Sequence, residues 1–233
     1  ATGPLLRMTA VPTTAGTGSE TQSYALISDA ETHVKMACGD KRAAFRVAIL
    51  DPELTVTQPP RVTALTGIDA ISHAVETYVT KRRNAISLAF SREAWRHLAG
   101  NFGRVLAEPT NVAARAEMQL GACFAGLAIE NSMLGAAHAL ANPLTATFGT
   151  AHGEAVALVL PHVIRHNGQT IGPWYAELVE CSDATSTRGG ANAVDRLASF
   201  VAELAERAGL ATRLAQLGVA REQLPALAAA ATE

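Results

Sequence analysis

The sequence predicts an α+β chain that is mostly α: a C-terminal helical domain preceded by a partial α/β segment of a few short strands. Residues 1–58 contain short β-type runs broken by turns, whereas apolar residues recur at helical spacing after Pro59-Pro60. Alanine is abundant and aromatic residues make up only 5%, which favours closely packed helices. Because 48% of the 233 residues are hydrophobic, a substantial core is possible. We therefore expect two domains, 1–58 and 59–233.

Short β-type runs characterise the first of these domains. Tyr24–Ser28 and Thr32–Ala37 flank Asp29-Ala30-Glu31 and are expected to pair as a hairpin. Leu5–Val11 and Phe45–Leu50 are the other strand candidates. So few strands would leave sheet edges unpaired and an apolar face uncovered. The chain is therefore expected to lack the beginning of its first domain.

Helical periodicity dominates the second domain. The predicted helices are Val62–Thr80, Ala85–Leu106, Asn111–Leu127, Met133–Leu140, Gly153–His166, Ala191–Gly209 and Leu224–Ala231. Thr185–Gly190 is predicted to be a polar loop. We expect no run to be long and apolar enough to span a bilayer.

Charge and cysteine content exclude several classes of function. A net charge of −2 gives no electrostatic reason to expect binding to nucleic acid or to a membrane surface. Ala1-Thr2-Gly3-Pro4 lacks the charged start of a secretion signal. Cys38, Cys123 and Cys181 are odd in number and far apart, which is typical of reduced thiols. These features predict a cytoplasmic protein.

Four residues form the main candidate site. Asp69 and His73 are four residues apart, which places them on one face of a helix. His138 and His152 lie among alanines and glycines, where a buried imidazole needs a partner. Three imidazoles and a carboxylate would bind one divalent metal as a Lewis acid. The pattern alone leaves a helical ion pair and satisfied core histidines as alternatives.

Other polar residues are weaker candidates. His162 and His166 are also four apart, but a core or surface role is favoured over ligation. Glu20 and Glu76 are either polar supports of a cleft or ordinary carboxylates, and Glu76 is expected to be exposed. No serine–histidine–acid triad is evident.

Several motifs together resemble one known family. They are Pro12–Glu20, Asp51-Pro52-Glu53-Leu54, Thr66–Glu76, His138–Leu144, His152-Gly153 and Pro161-His162-Val163. In order and spacing they are similar to the iron-containing (group III) alcohol dehydrogenases, which share a fold with glycerol dehydrogenase and dehydroquinate synthase. The resemblance runs from about Pro12 to Asn167.

The resemblance implies a fold and two sets of site residues. Residues 1–58 would be a remnant of a nucleotide-binding α/β domain, and 59–233 would be the helical domain that binds metal and substrate. The implied ligands to Fe(II), or sometimes Zn, are Asp69, His73, His138 and His152. The implied contacts to NAD or NADP are Thr13, Thr14, Lys35 and Leu54.

The implied activity is metal-dependent, NAD(P)-linked alcohol oxidation, with hydride transferred between a small alcohol or aldehyde and nicotinamide, in a truncated chain. By the same resemblance we expect a homo-oligomer, most simply a dimer. A non-catalytic metal-binding helical domain is an alternative, as is a metal-dependent lyase or hydrolase that works without nicotinamide.

Two departures from the family pattern bear on activity. The family's Gly-Gly-Gly-Ser turn, which holds the cofactor pyrophosphate, is absent from this sequence. Gly16-Thr17-Gly18 cannot replace it, because Thr21 stands where a G-x-G-x-x-G dinucleotide-binding motif needs its third glycine. Asn142 stands where many members have a histidine that assists proton relay. Asn142 can hydrogen-bond there but cannot titrate near neutral pH.

Overall fold

The computed structural model describes residues 6–31, 35–187, 189 and 192–232. Its strands are short and few: β1 (Thr9–Ala10), β2 (Tyr24–Ser28), β3 (Lys35–Gly39) and β4 (Val47–Ala48). β1 and β4 pair in parallel, and β2 and β3 form an antiparallel hairpin. The predicted hairpin is confirmed, although residues 32–34 of its second strand, like Leu5 of the first predicted strand, lie outside the described residues.

Helices make up most of the described chain, as predicted. They are α1 (Glu53–Val56), α2 (Pro60–Val79), α3 (Ala85–Ala107), α4 (Val112–Asn131), α5 (Ala136–Phe148), α6 (His152–Glu180), α7 (Asp183–Ser186), α8 (Ala193–Arg207) and α9 (Leu224–Ala230). Short 3₁₀ turns occur at Ser19–Thr21, Lys41–Ala43, Leu214–Leu217 and Arg221–Gln223.

Three helices run several residues further than the sequence predicted. α4 ends at Asn131, although the prediction ended at Leu127. α5 continues through Pro143 to Phe148, although the prediction ended at Leu140. α6 has 29 residues and bends at Ile171, whose φ of −118° and ψ of 24° are not helical. The bend follows from Pro173, which lacks the amide hydrogen that a helix interior requires. Part of the predicted loop at Thr185–Gly190 is also helical, in α7.

α2 is the central helix of the molecule. It packs against α3, α4, α5 and α6, and every residue from Gly67 to Tyr78 is buried. Ile68, Ile71 and Val75 contribute apolar surface to the main core. Polar side chains on this stretch therefore have to find partners inside the protein, because burial without them costs free energy.

α4 is a second core helix. By length and composition it is apolar enough to cross a membrane, with a mean hydropathy of 1.2, so the expectation that no such run exists was wrong. However, 61% of this window is buried inside the protein. The buried side chains of Arg115 and Gln119 interrupt its apolar surface, and each hydrogen-bonds to the chain before α2. These features are typical of a core helix.

The loop before β2 is fixed on α4 by close backbone contact. Gly18 has a φ of +62°, and a Cβ on Gly126 would lie 2.3 Å from the Gly18 carbonyl oxygen. Thr21 donates from Oγ1 to the Cys123 carbonyl, and Ser23 donates from its amide and its hydroxyl to Glu130. Two glycines and a few hydrogen bonds therefore hold the N-terminal segment against the helices.

Gly126→Ala should reduce the free energy of unfolding by about 1–3 kcal/mol, because the new methyl group meets backbone atoms that cannot move aside. Gly100→Ala is the matched control. Gly100 is exposed within α3, with nothing within 4 Å of an added Cβ, so alanine should stabilise the helix by about 0.5–1 kcal/mol. Urea unfolding measures both, and equal effects of the two changes would refute the close contact.

Candidate metal centre

α2 carries three polar side chains along one buried face. Asp69, His73 and Glu76 are separated by four and three residues, the spacing that stacks side chains along a helix. Their relative exposures are 5%, 5% and 3%. α2 itself does not provide partners for all the polar side-chain atoms of these three residues, so further partners must come from other elements.

α5 and α6 supply the partners. His138 is the third residue of α5, and His152 is the first residue of α6. Gly153 makes the approach of α6 possible, since a Cβ there would lie 2.2 Å from the carbonyl oxygen of Leu65 in α2. The start of α6 therefore lies directly against the turn of α2 that precedes Asp69.

Three of the four predicted residues converge on an oxygen atom of the fourth. Asp69 Oδ1 lies 3.5 Å from Nε2 of His73, 3.6 Å from Nε2 of His138 and 3.8 Å from Nε2 of His152. The imidazole centroids of His73 and His138 are 5.0 Å apart, and those of His138 and His152 are 5.2 Å apart. Three rings thus direct the same nitrogen towards one carboxylate.

The separations fit a shared cation better than direct hydrogen bonds. Ligands about 2.1 Å from a tetrahedral ion stand about 3.4 Å from one another. Among the described residues, the buried atoms Asp69 Oδ1 and His138 Nε2 have no hydrogen-bond partner, although unpaired buried polar atoms are rare. A divalent cation between these atoms would satisfy both of them at once.

The electrostatics of the cluster also favour a cation. Burial raises the pKa of Asp69, but the three neighbouring imidazoles outweigh burial and bring the pKa below its usual range. Burial lowers the pKa of His138, but the carboxylates of Asp69 and Glu76 outweigh it and raise the pKa to about 9. Burial lowers the pKa of His73. The negative charges of Asp69 and Glu76, which raise the pKa of His138, would also attract a metal ion.

Glu76 was mispredicted as exposed. It is buried, accepts a hydrogen bond from the amide of Ala137 at 2.7 Å, and pairs with Nδ1 of His138. The signal was present in the sequence, because Glu76 continues the face of Asp69 and His73. Glu20 is also buried, and burial raises its pKa.

The predicted cofactor positions lie on the segment before α2. Thr13 is exposed and Thr14 is half-buried. Gly16 of the same loop packs closely on Thr66 of α2, since a Cβ added to Gly16 would lie 2.5 Å from the Thr66 side chain. Leu54, at the start of α1, is 39% exposed. Lys35 begins β3, and its side chain lies outside the described residues. The loop therefore contacts the helix that carries Asp69 and His73.

The other predicted candidates lie outside the cluster. Asn142 is exposed on α5, one turn after His138. His162 and His166 are exposed on α6. Within the described ranges, the one group of side chains spaced to hold a metal contains Asp69, His73 and His138. The three cysteines are free thiols.

Fold and site together define a helical bundle around a buried aspartate–histidine cluster. A family model of the C-terminal part of the Fe-containing alcohol dehydrogenases matches residues 63–233, and a model of the iron-containing alcohol dehydrogenases matches residues 1–52. The chain belongs to the iron-containing alcohol dehydrogenase family.

Individual relatives match almost the whole chain. The 1,3-propanediol dehydrogenase of Klebsiella pneumoniae is 34% identical over 228 residues, which are 97% of this chain and 59% of that enzyme. The lactaldehyde reductase of Escherichia coli K12 is 34% identical over 234 residues, or 99% and 60% of the two chains. A crystal structure of sulfoacetaldehyde reductase from Bifidobacterium kashiwanohense with NAD+ has a TM-score of 0.88 and 32% identity, covering 98% of this chain and 59% of that one. This chain spans about three fifths of the length of these relatives.

His138→Ala should remove most of the bound metal, because it deletes a nitrogen that lies within 3.6 Å of Asp69 Oδ1 and is buried. Elemental analysis of metal per chain after equilibration with Fe(II) or Zn measures the loss. His162→Ala, an exposed histidine on α6, is the control and should leave the metal content unchanged. Unchanged stoichiometry in His138→Ala would rule out this centre.

Proposed function

We propose that this chain is the metal- and substrate-binding part of an NAD(P)-linked alcohol dehydrogenase that holds one divalent metal. The ligands would be Asp69, His73, His138 and His152. The observation that carries the proposal is the convergence of three imidazole nitrogens on Asp69 Oδ1 at 3.5–3.8 Å. Family membership supports Fe(II) as the metal, with Zn as the alternative.

The chemistry of the proposed centre needs two bound groups. When bound, the metal would supply Lewis acidity towards a small alcohol or aldehyde, and the nicotinamide would accept or return hydride. The chain's own part is to hold four ligand atoms in a fixed arrangement. Asp69 and His73 are fixed by α2, which is buried along this stretch, and His138 and His152 by the starts of α5 and α6. Such preorganisation lowers the cost of reaching the reactive geometry.

Residues 1–58, as a remnant of the nucleotide-binding domain, would bind the cofactor. Residues 59–233 would bind the metal and the substrate. Thr13 and Thr14 would contact the nicotinamide side, supported by the packing of their loop on α2 through Gly16 and Thr66. Lys35 and Leu54 would be further cofactor contacts. The NAD+ complex of the sulfoacetaldehyde reductase, at 32% identity, supports a nicotinamide cofactor.

Proton transfer distinguishes this chain from many members of the family. Asn142 lies one turn beyond His138, on the exposed side of α5. Its amide can hold a water or a hydroxyl group by hydrogen bonds but cannot take up the proton that an alcohol releases. The proton would therefore leave through water or a ribose hydroxyl of the cofactor. We further propose a cytoplasmic homodimer, by analogy with the family.

Reduction of NAD+ or NADP+ by 1,3-propanediol in the presence of Fe(II) or Zn tests the proposal. Two proteins should be compared: this chain, and this chain preceded by the N-terminal portion of the Klebsiella pneumoniae relative. We expect metal-dependent formation of reduced nicotinamide, abolished by a chelator, with the fusion at least tenfold faster because it adds a pyrophosphate-binding turn.

The controls separate the alternative functions. Full metal loading in both proteins, with neither reduction of NAD(P)+ by short alcohols nor oxidation of NAD(P)H by short aldehydes, would contradict dehydrogenase activity and favour a non-catalytic metal-binding domain. Conversion of a substrate with all nicotinamide removed would instead favour a lyase or a hydrolase.

A further inference from the structure

Glu76 connects the central helix to the element that carries His138. Its Oε1 accepts a hydrogen bond from the amide of Ala137 at 2.7 Å, and its Oε2 pairs with Nδ1 of His138. The Glu76 side chain is 3% exposed and the His138 side chain 11% exposed, so little water competes for either contact. One carboxylate therefore holds both the backbone and the ring of the same short segment.

We propose that Glu76 is a positioning residue for the metal centre: it fixes the ring orientation and the tautomer of His138, so that Nε2 presents its lone pair to the ion beside Asp69. The inference rests on the proposed metal site and adds to it a residue that does not itself touch the ion. Partners of this kind orient metal-binding histidines and raise their basicity.

The direction of the hydrogen bond follows from the chemistry of the two groups. A carboxylate oxygen accepts, so the hydrogen between Glu76 and His138 belongs to Nδ1. In the neutral ring the lone pair then lies on Nε2, the atom 3.6 Å from Asp69 Oδ1. Without Glu76, the other tautomer would place a hydrogen on the nitrogen that has to bind the metal.

The start of α5 is built around this contact. Gly135 is the N-cap residue and offers no side chain to the free amides, so Glu76 caps the helix from α2. A Cβ on Gly135 would lie 3.0 Å from Glu76 Oε1, closer than most real Cβ contacts. Glycine at position 135 therefore leaves space for the Glu76 carboxylate. The negative charge of this carboxylate also interacts favourably with the positive N-terminal end of the helix dipole.

An amide could not replace the carboxylate. The Ala137 amide and His138 Nδ1 are both donors, and Glu76 meets each with a separate oxygen. Glutamine has the same shape but only one acceptor oxygen, so its NH₂ group would face one of the two donors. Glu76→Gln therefore changes the hydrogen-bonding pattern while almost preserving volume.

Metal affinity, measured by competition with a chelator, tests the role of Glu76. Glu76→Gln should bind Zn or Co(II) about 10–100-fold more weakly than the unmodified chain, with an altered visible absorption spectrum of bound Co(II). Glu130→Gln is the matched control. Glu130 also accepts two hydrogen bonds from a distant segment, at Ser23, but lies outside the metal cluster. Its affinity and Co(II) spectrum should match those of the unmodified chain.

The outcomes separate this inference from the proposal beneath it. If the unmodified chain binds no metal, both are overturned. If the unmodified chain binds metal and Glu76→Gln binds it equally well with the same Co(II) spectrum, Glu76 is only a helix cap and the inference alone fails. Glu76→Asp serves if Glu76→Gln does not fold. It keeps the charge but is one methylene too short to reach both donors, so it should also weaken binding, and an unchanged affinity would refute the role.

Discussion

The site is organised around one buried carboxylate, that of Asp69 on the central helix α2. Asp69 lies in a stretch of α2 that is buried from Gly67 to Tyr78, far from compensating solvent. A buried charge needs opposite charge or several hydrogen bonds. Here three imidazole nitrogens surround Asp69 Oδ1 without forming hydrogen bonds of ordinary length. A cation shared among them gives the arrangement a simple physical reason.

Close packing allows the four groups to meet. Gly153 lets the start of α6 rest on the Leu65 carbonyl, and Gly135 leaves room for the Glu76 carboxylate at the start of α5. The loop that carries Thr13 and Thr14 reaches α2 because Gly16 has no side chain to strike Thr66. Each of these glycines removes a methyl group where two elements need to touch. The geometry of the site therefore depends on close helix packing as well as on its polar residues.

Local geometry explains what could be predicted from the sequence. The spacing of Asp69 and His73 follows from the helix repeat, and the hairpin at Tyr24–Ser28 from its turn residues. The nearness of His138 and His152 to Asp69 does not follow from spacing, because it depends on contacts between distant helices. His138 and His152 were predicted as site residues from the small residues that surround them in the sequence and from the family resemblance.

The missed features have physical causes as well. Glu76 was expected to be exposed because a glutamate on a helix usually faces water, and the sequence did not reveal that α2 is enclosed on every side in this stretch. α5 and α6 were predicted to be too short. Pro143 and Pro173 suggest helix ends. Packing against neighbouring helices carries α5 through Pro143, whereas α6 continues past Pro173 only with a bend at Ile171.

X-ray absorption spectroscopy of the chain loaded with one Fe(II) or Zn ion tests whether all four side chains bind the same metal. We predict a single first shell of nitrogen and oxygen at about 2.0–2.2 Å, with the scattering of three imidazole rings. A shell that contains sulfur, or one with fewer than two imidazoles, would contradict a centre built from Asp69, His73, His138 and His152.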